Sequence, residues 1–154
     1  MFSMKLDTSE MERKLKELEK KSPEALRKAL EIAAIQFLTW SANGSSKESR
    51  KPPIRRGFLR GSGSAFVGSK LVGLVRGHDN KEANRSYSDN PLNVTWGYNS
   101  EYATKMHETN YKPGPFSAQD GDAGNKWLER HLSADRELFM KVVAIEFSKE
   151  LGTK

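Results

Sequence analysis

Apolar positions in the first forty residues recur at helical spacing and change character once. Met11, Leu15 and Leu18 fall at i, i+4 and i+7 on one face of a highly charged segment, and Asp7 with Glu10 three residues on forms a capping box ahead of them. Ser22-Pro23-Glu24 then supplies an N-cap with Pro at the first helical position, followed by Leu26, Leu30, Ala33, Phe37 and Trp40. Ala29, Ile32, Ala34, Ile35 and Leu38 widen that second stripe, which marks a core helix. The pattern predicts an N-terminal helix over 8–41 with a kink at 22–23, ended by Ser41-Ala42-Asn43-Gly44.

From 44 to 63 the periodicity vanishes into Ser, Lys, Arg, Pro and Gly, with Pro52-Pro53 forbidding helix, so an extended arm is expected. Ala65, Val67, Leu71 and Val75 then alternate loosely, and Val94, Trp96 and Tyr98 alternate cleanly. Two antiparallel strands follow within 64–98, joined by a long polar loop over 77–90, a length that signals a working loop or disorder. Tyr102 and Met106 share one face of a short helix at 100–109, and a second polar stretch leads to the C-terminal helix, 124–151. Trp127, Leu128, Leu132, Phe139, Val142, Val143 and Ile145 give its apolar face. The sum is a single α+β domain spanning 1–154: a small antiparallel sheet packed against two long helices, with an extended arm and long loops. Its predicted core is Leu26, Leu30, Phe37, Val94, Trp96, Tyr102, Phe139, Val142 and Val143.

Composition narrows the function. One domain of 154 residues buries roughly 70% of its unfolded surface, yet only 36% of this chain is apolar and 30% is charged. Some of its segments are therefore expected to face solvent or to wait for a partner. The absence of Cys removes disulfides, thiolate metal sites and thiol chemistry. No apolar stretch follows the first charges and none approaches the roughly 18 residues of a membrane span, so neither a secretory signal nor a membrane partner is expected. Charge is concentrated: from Ser41 to Arg76, Lys47, Arg50, Lys51, Arg55, Arg56, Arg60, Lys70 and Arg76 face Glu48 alone. That segment carries a net +7 while the whole chain carries +6, which reads either as a solvated loop kept in water by its charge or as a surface that meets phosphate or an acidic protein face. Lys51, Arg55, Arg56, Phe58 and Arg60 are the candidate partner-binding residues.

Catalytic and metal motifs fail on spacing. Gly63-Ser-Ala-Phe-Val-Gly68 displaces the phosphate-loop Lys to Lys70 and continues as strand, where that loop requires a helix. An EF-hand counted from Asp120 meets His131 at its twelfth position instead of Glu, leaving Asp120, Asp122 and Asn125 as turn residues. His78, His107 and His131 stand at unrelated spacings and are read as structural. No Ser sits in a strand-turn-helix elbow, and Glu101 and Glu108 are seven apart with no partner of catalytic type. The RRGFLRGSG run lacks the strand-borne aromatics of an RNA-recognition surface. No enzyme activity, cofactor or metal is expected.

The order of Pro52-Pro53-Ile54-Arg55-Arg56-Gly57-Phe58-Leu59-Arg60-Gly61-Ser62, Val94-Thr95-Trp96-Gly97, Tyr102-Ala103, Glu108 and a C-terminal helix resembles the small neck proteins of tailed bacteriophages. These are the tail-completion, tail-terminator or head-tail joining components. Pro53, Gly57, Leu59 and Arg60 match the family's first block, with Arg56 in place of its Thr; Tyr102, Ala103 and Glu108 match its second. Thr109-Asn110 stands where the family has Gly-Thr, Pro115-Phe116 lies far upstream of the last helix, and 77–90 and 110–123 are insertions. The resemblance implies a structural virion protein made in the bacterial host cytoplasm. It would form a ring, commonly sixfold, at the head-tail interface between a head-closure or adaptor protein and the tail tube protein, with DNA in transient passage. The alternative carried by the basic run is a sequence-independent nucleic-acid-binding module.

Overall fold

The computed structural model describes residues 9–52, 58–75, 89–98, 103–109 and 114–152. Helix α1 spans Ser9–Lys21 and α2 spans Pro23–Asn43. Ser22 separates them: its extended backbone (φ −163°) and its hydroxyl, which accepts from the Ala25 amide at 3.2 Å, start a fresh helix with Pro23 already at helical φ. Met11, Leu15 and Leu18 of α1 pack half-buried against the core, whereas α2 buries Ala25, Leu26, Ala29, Leu30, Ala33, Ala34, Phe37, Leu38, Ser41 and Ala42. Gly44 ends α2 at φ +90°, donating its amide to the Trp40 carbonyl at 2.7 Å.

A one-turn helix, α3 (Phe58–Gly61), leads into a three-stranded antiparallel sheet of order β2-β1-β3, with β1 Gly63–Val67, β2 Lys70–Leu74 and β3 Val94–Tyr98. The run expected as one strand over 64–76 is therefore a hairpin. Val67 pairs with Lys70, leaving Gly68-Ser69 as a two-residue turn whose positive φ falls on the glycine, +59°, as a type II′ hairpin asks. A Cβ on Gly68 would also lie 2.9 Å from the Pro91 Cα. The central strand β1 is buried along its whole length, and an irregularity between Ala65 and Phe66 shifts its register against β2.

Helices α4 (Ala103–Glu108) and α5 (Pro115–Asp120) follow; α5, opened by Gly114-Pro115 and closed by Gly121 (φ +77°), occupies a stretch that the sequence pattern leaves as loop. The C-terminal helix expected over 124–151 is two helices, α6 (Trp127–Ala134) and α7 (Arg136–Glu150). Asp135 breaks it, at φ −97° and ψ +6°, with its carboxylate turned away from helix capping.

Helix α2 lies against α7 on one side and the sheet on the other, and three aromatics from these layers meet. The rings of Phe37 and Trp96 are 4.3 Å apart, and Phe139 stands edge-on to Trp96 at 5.5 Å and to Phe37 at 6.4 Å. The Trp96 indole donates to the Ala34 carbonyl at 3.0 Å, and Tyr98, fully buried, shares a 2.8 Å hydrogen bond with Ser41. Of the expected core, Leu26, Leu30, Phe37, Phe139 and Val143 are buried, while Val94, Trp96 and Val142 are half-buried against it. Tyr102 lies outside the described residues. Because Phe139 closes the aromatic group from the α7 side, Phe139→Ala is expected to cost roughly 3 to 5 kcal/mol, read as a lower urea midpoint at unchanged m-value. A silent substitution would mean that α7 is not seated on this face.

Candidate functional site

The basic run enters the structure tied down at its root. Ser45 closes a tight turn: its amide donates to the Glu48 carbonyl at 2.8 Å, and its hydroxyl accepts from the amides of Lys47 and Glu48 at 3.2 and 3.0 Å. The same hydroxyl donates to Asp135 Oδ1 at 2.7 Å, joining the turn to the break between α6 and α7. Arg50 is fixed at three atoms. Its amide donates to Glu48 Oε1 at 2.9 Å, its guanidinium reaches the Asn125 side-chain and main-chain oxygens at 3.2 and 3.3 Å, and its carbonyl meets His131 Nε2 at 2.7 Å. Lys51 forms a short parallel bridge with Ala123, donating to the Asp122 carbonyl at 3.0 Å and accepting from Gly124 at 3.1 Å. Gly124 leaves room for the Arg50 guanidinium where a Cβ would stand. Of the arm expected over 44–63, residues 45–52 and those from α3 onward belong to the folded body, and 53–57 lie outside the described residues.

Behind the root lies an acid-histidine pair. His131 Nδ1 and Asp135 Oδ2 are 2.6 Å apart, i and i+4 across the helix break, and both side chains are fully buried. Ser45, Asp135 and His131 are the residue types of a hydrolase triad in the wrong order: the serine bonds the carboxylate, the ring's far nitrogen is taken by a carbonyl, and water has no access to either side chain. The arrangement anchors a loop.

The second block of motif residues stands at the other end of the same connector. Ala103, 1% exposed, begins α4, and Glu108 ends it. Glu108 accepts from Lys126 Nζ and, at 2.8 Å, from His107 Nδ1. Hydrogen bonds from Lys126 and then His107 hold the Glu108 carboxyl below its usual range, and the Glu108 bond raises Lys126. His107 is fully buried beneath Trp127, ring centroids 4.9 Å apart, with Nε2 accepting from the Glu129 amide at 3.4 Å and its own carbonyl taking the Lys126 amide at 2.8 Å. Lys126 adopts a left-handed conformation (φ 56°) to make this turn.

Lys51, from the basic run, and Glu108, from the second motif block, therefore flank the connector 122–126. Leu59 packs half-buried on the core, and its carbonyl accepts from the Ser62 amide and hydroxyl at 3.1 and 2.6 Å. Phe58 and Arg60 belong to α3, and their side chains are outside the described set, as are Pro53, Arg55, Arg56, Gly57 and Tyr102. Sequence reasoning missed Ser45, Arg50, His131 and Asp135 as a unit; the i, i+4 spacing of the last two is the one signal it carried. Among the described residues no group of three or more His, Asp or Glu is placed to hold a metal ion, and no helix is long and apolar enough to cross a membrane. Compared with protein-family profiles, curated proteins and solved structures, the chain matches none.

Burial holds His107 below the ordinary histidine value of 6.5, and the opposing pull of Glu108 does not cancel it. The unfolded chain then takes up a proton that the folded chain resists, so this residue's contribution is complete above 6.5 and is lost as pH falls from there toward the lowered value. Urea midpoints measured across that range should fall on the acid side, and His107→Gln, with no proton to gain, should flatten the slope. An unchanged slope in the variant would assign the acid sensitivity elsewhere.

Proposed function

We propose that this chain is a structural subunit of a tailed-phage particle, assembling as a ring at the head-tail interface and contacting a head-closure or adaptor protein and the tail tube. The observation that carries this reading is an apolar strip left exposed at the sheet's edge among the described residues. β2, an outer strand among the described residues, exposes Leu71 and Leu74 at 41% and 43%. α2, on which β2 packs, exposes Ile32 and Ile35 at 42% and 44%. The two exposures adjoin, since a Cβ on Gly73 would stand 3.2 Å from Ile35. An outer strand flanked by large aliphatics invites pairing with another chain, and a ring satisfies every such edge in head-to-tail fashion. The basic loop beside a firmly held root supplies guanidinium groups for carboxylates or carbonyls of a neighbour. The order of neck-protein motifs supports the same assignment.

A second reading, a sequence-independent nucleic-acid binder, draws on the net +7 of the segment from Ser41 to Arg76. Two variants separate the readings. Leu71→Glu with Leu74→Glu should leave the fold intact and abolish incorporation into particles, because the change charges the strip and spares the core. Arg55→Glu, Arg56→Glu and Arg60→Glu together should likewise yield heads and tails that fail to join, with the isolated wild-type chain monomeric or weakly associated and a poor ligand for duplex DNA. The assembly reading would be overturned by submicromolar, salt-sensitive duplex binding in the wild type together with normal assembly by both variants. In that case the triple variant's salt slope should be shallower by about 0.9 for each phosphate it no longer neutralises.

A further inference from the structure

Among the described residues the sheet has two outer strands, β2 and β3, and both turn backbone groups away from it. On β3 the Asn93 carbonyl accepts from the Gly68 amide at 2.7 Å, and the ladder alternates from there. Thr95 and Gly97 therefore bond to β1, while Val94 and Trp96 direct N–H and C=O outward. On β2, Val67 pairs with Lys70 across the turn and Val75 donates to the Gly63 carbonyl at 2.9 Å, which leaves the backbone groups of Leu71 and Leu74 pointing out. None of these four finds a backbone partner on its outer side among the described residues.

Side chains make the two edges fit each other. Ala65 and Val67 lie on the α2 face of β1, and their partners Trp96 and Val94 share it, half-buried. On β2 that face carries Gly73, where a Cβ would meet Ile35 at 3.2 Å, so the rim there is made by the exposed Ile35 and Ile32 of α2. Leu71 pairs with Phe66 and stands on the opposite face, as does Thr95, the other partner of Phe66. The β2 edge is thus flanked by large aliphatics on both faces. The β3 edge offers an apolar pair on one face and the shorter Thr95 on the other. Charge does not oppose their contact: Glu31 holds both Lys70 and Arg27, at 3.1 and 3.3 Å, and Lys28 lies 3.7 and 3.6 Å from Glu24 and Glu150. A chain of net +6 presents a compensated rim here.

We propose that β2 of one copy and β3 of the next join as neighbouring strands, so that the partner of the exposed strip is the β3 edge of a second copy of this chain. This rests on the assembly reading above and names its subunit joint. A ring repeats one rotation, so the β2 edge does not meet β2 again, which would close a pair and stop growth. β3 is the other outer strand and carries the outward backbone groups that β2 needs. Because β1 runs antiparallel to both, β2 and β3 have the same sense and the new pair is parallel. Each joint covers two open edges at once.

The test is amide hydrogen exchange of β2 and β3 in the wild-type chain, isolated and within phage particles. Exchange across both strands should slow by about tenfold or more on incorporation, the scale of hydrogen bonds newly made. The lack of Cys in the chain makes introduced pairs clean. Leu71→Cys with Thr95→Cys, or Leu74→Cys with Thr95→Cys where the strands slip by one pleat, should give a ladder of disulfide-linked oligomers when particles are oxidised, and each single variant monomer only. Incorporation with exchange unchanged in either strand, with no ladder from either pair, or with a disulfide dimer from Leu71→Cys alone would overturn the joint and leave the assembly reading standing. A wild-type chain absent from particles would overturn both.

Discussion

Everything in this domain is built on α2, and α2 has room for its neighbours because its sequence is small and apolar on several sides at once. Alanines 25, 29, 33 and 34 alternate with Leu26, Leu30, Phe37 and Leu38, and all eight are buried. The sheet would be unstable alone, since three short strands without a packed face do not offset their ordering entropy. Trp96 solves this on one side by stacking on Phe37 and hydrogen-bonding a carbonyl within α2, and Phe139 closes the same group from α7. Once that aromatic contact is set, the break at Asp135 fixes where α6 must lie relative to α7, and α6 in turn carries the histidine that holds the basic loop.

The sequence made the large elements legible because their signals are local. Ser22-Pro23, the wide stripe of α2 and the alternation at Val94, Trp96 and Tyr98 each contain their own explanation. What escaped were places where one residue decides against its surroundings. Gly68 followed by Ser69 looks like a small-residue gap inside one strand, yet its positive φ turns the chain back into a hairpin. Asp135 sits in an apolar helical pattern that reads through it, and only a partner ninety residues away in sequence, Ser45, makes breaking the helix worthwhile. Long-range polar bonds of that kind leave no periodicity to read.

The same limit explains the candidate site. A run of Lys, Arg, Ser and Pro reads as a solvated arm because its residues are polar, but polar residues also build the tightest loop anchors when their partners are buried. Arg50 shows the difference: by charge it belongs to the basic surface, and by contacts it belongs to the interior, its guanidinium lying over Gly124 and its carbonyl on His131. Lys51 is likewise engaged through its backbone. Among the described residues of the run Lys47 is exposed, whereas Arg50 is held in the body, so part of the net +7 serves the fold.

Two buried histidines on neighbouring elements meet different partners. His107 accepts from a backbone amide at one nitrogen and gives its single proton to Glu108 at the other, an arrangement complete with a neutral ring. His131 faces the Asp135 carboxylate at one ring nitrogen and the Arg50 carbonyl at the other. The two rings are set by the chemistry of the atoms opposite them: a peptide N–H in one case, a peptide carbonyl in the other. His107 thereby seats α4 on the start of α6, a join within the body of the domain, whereas His131 seats the root of the basic loop.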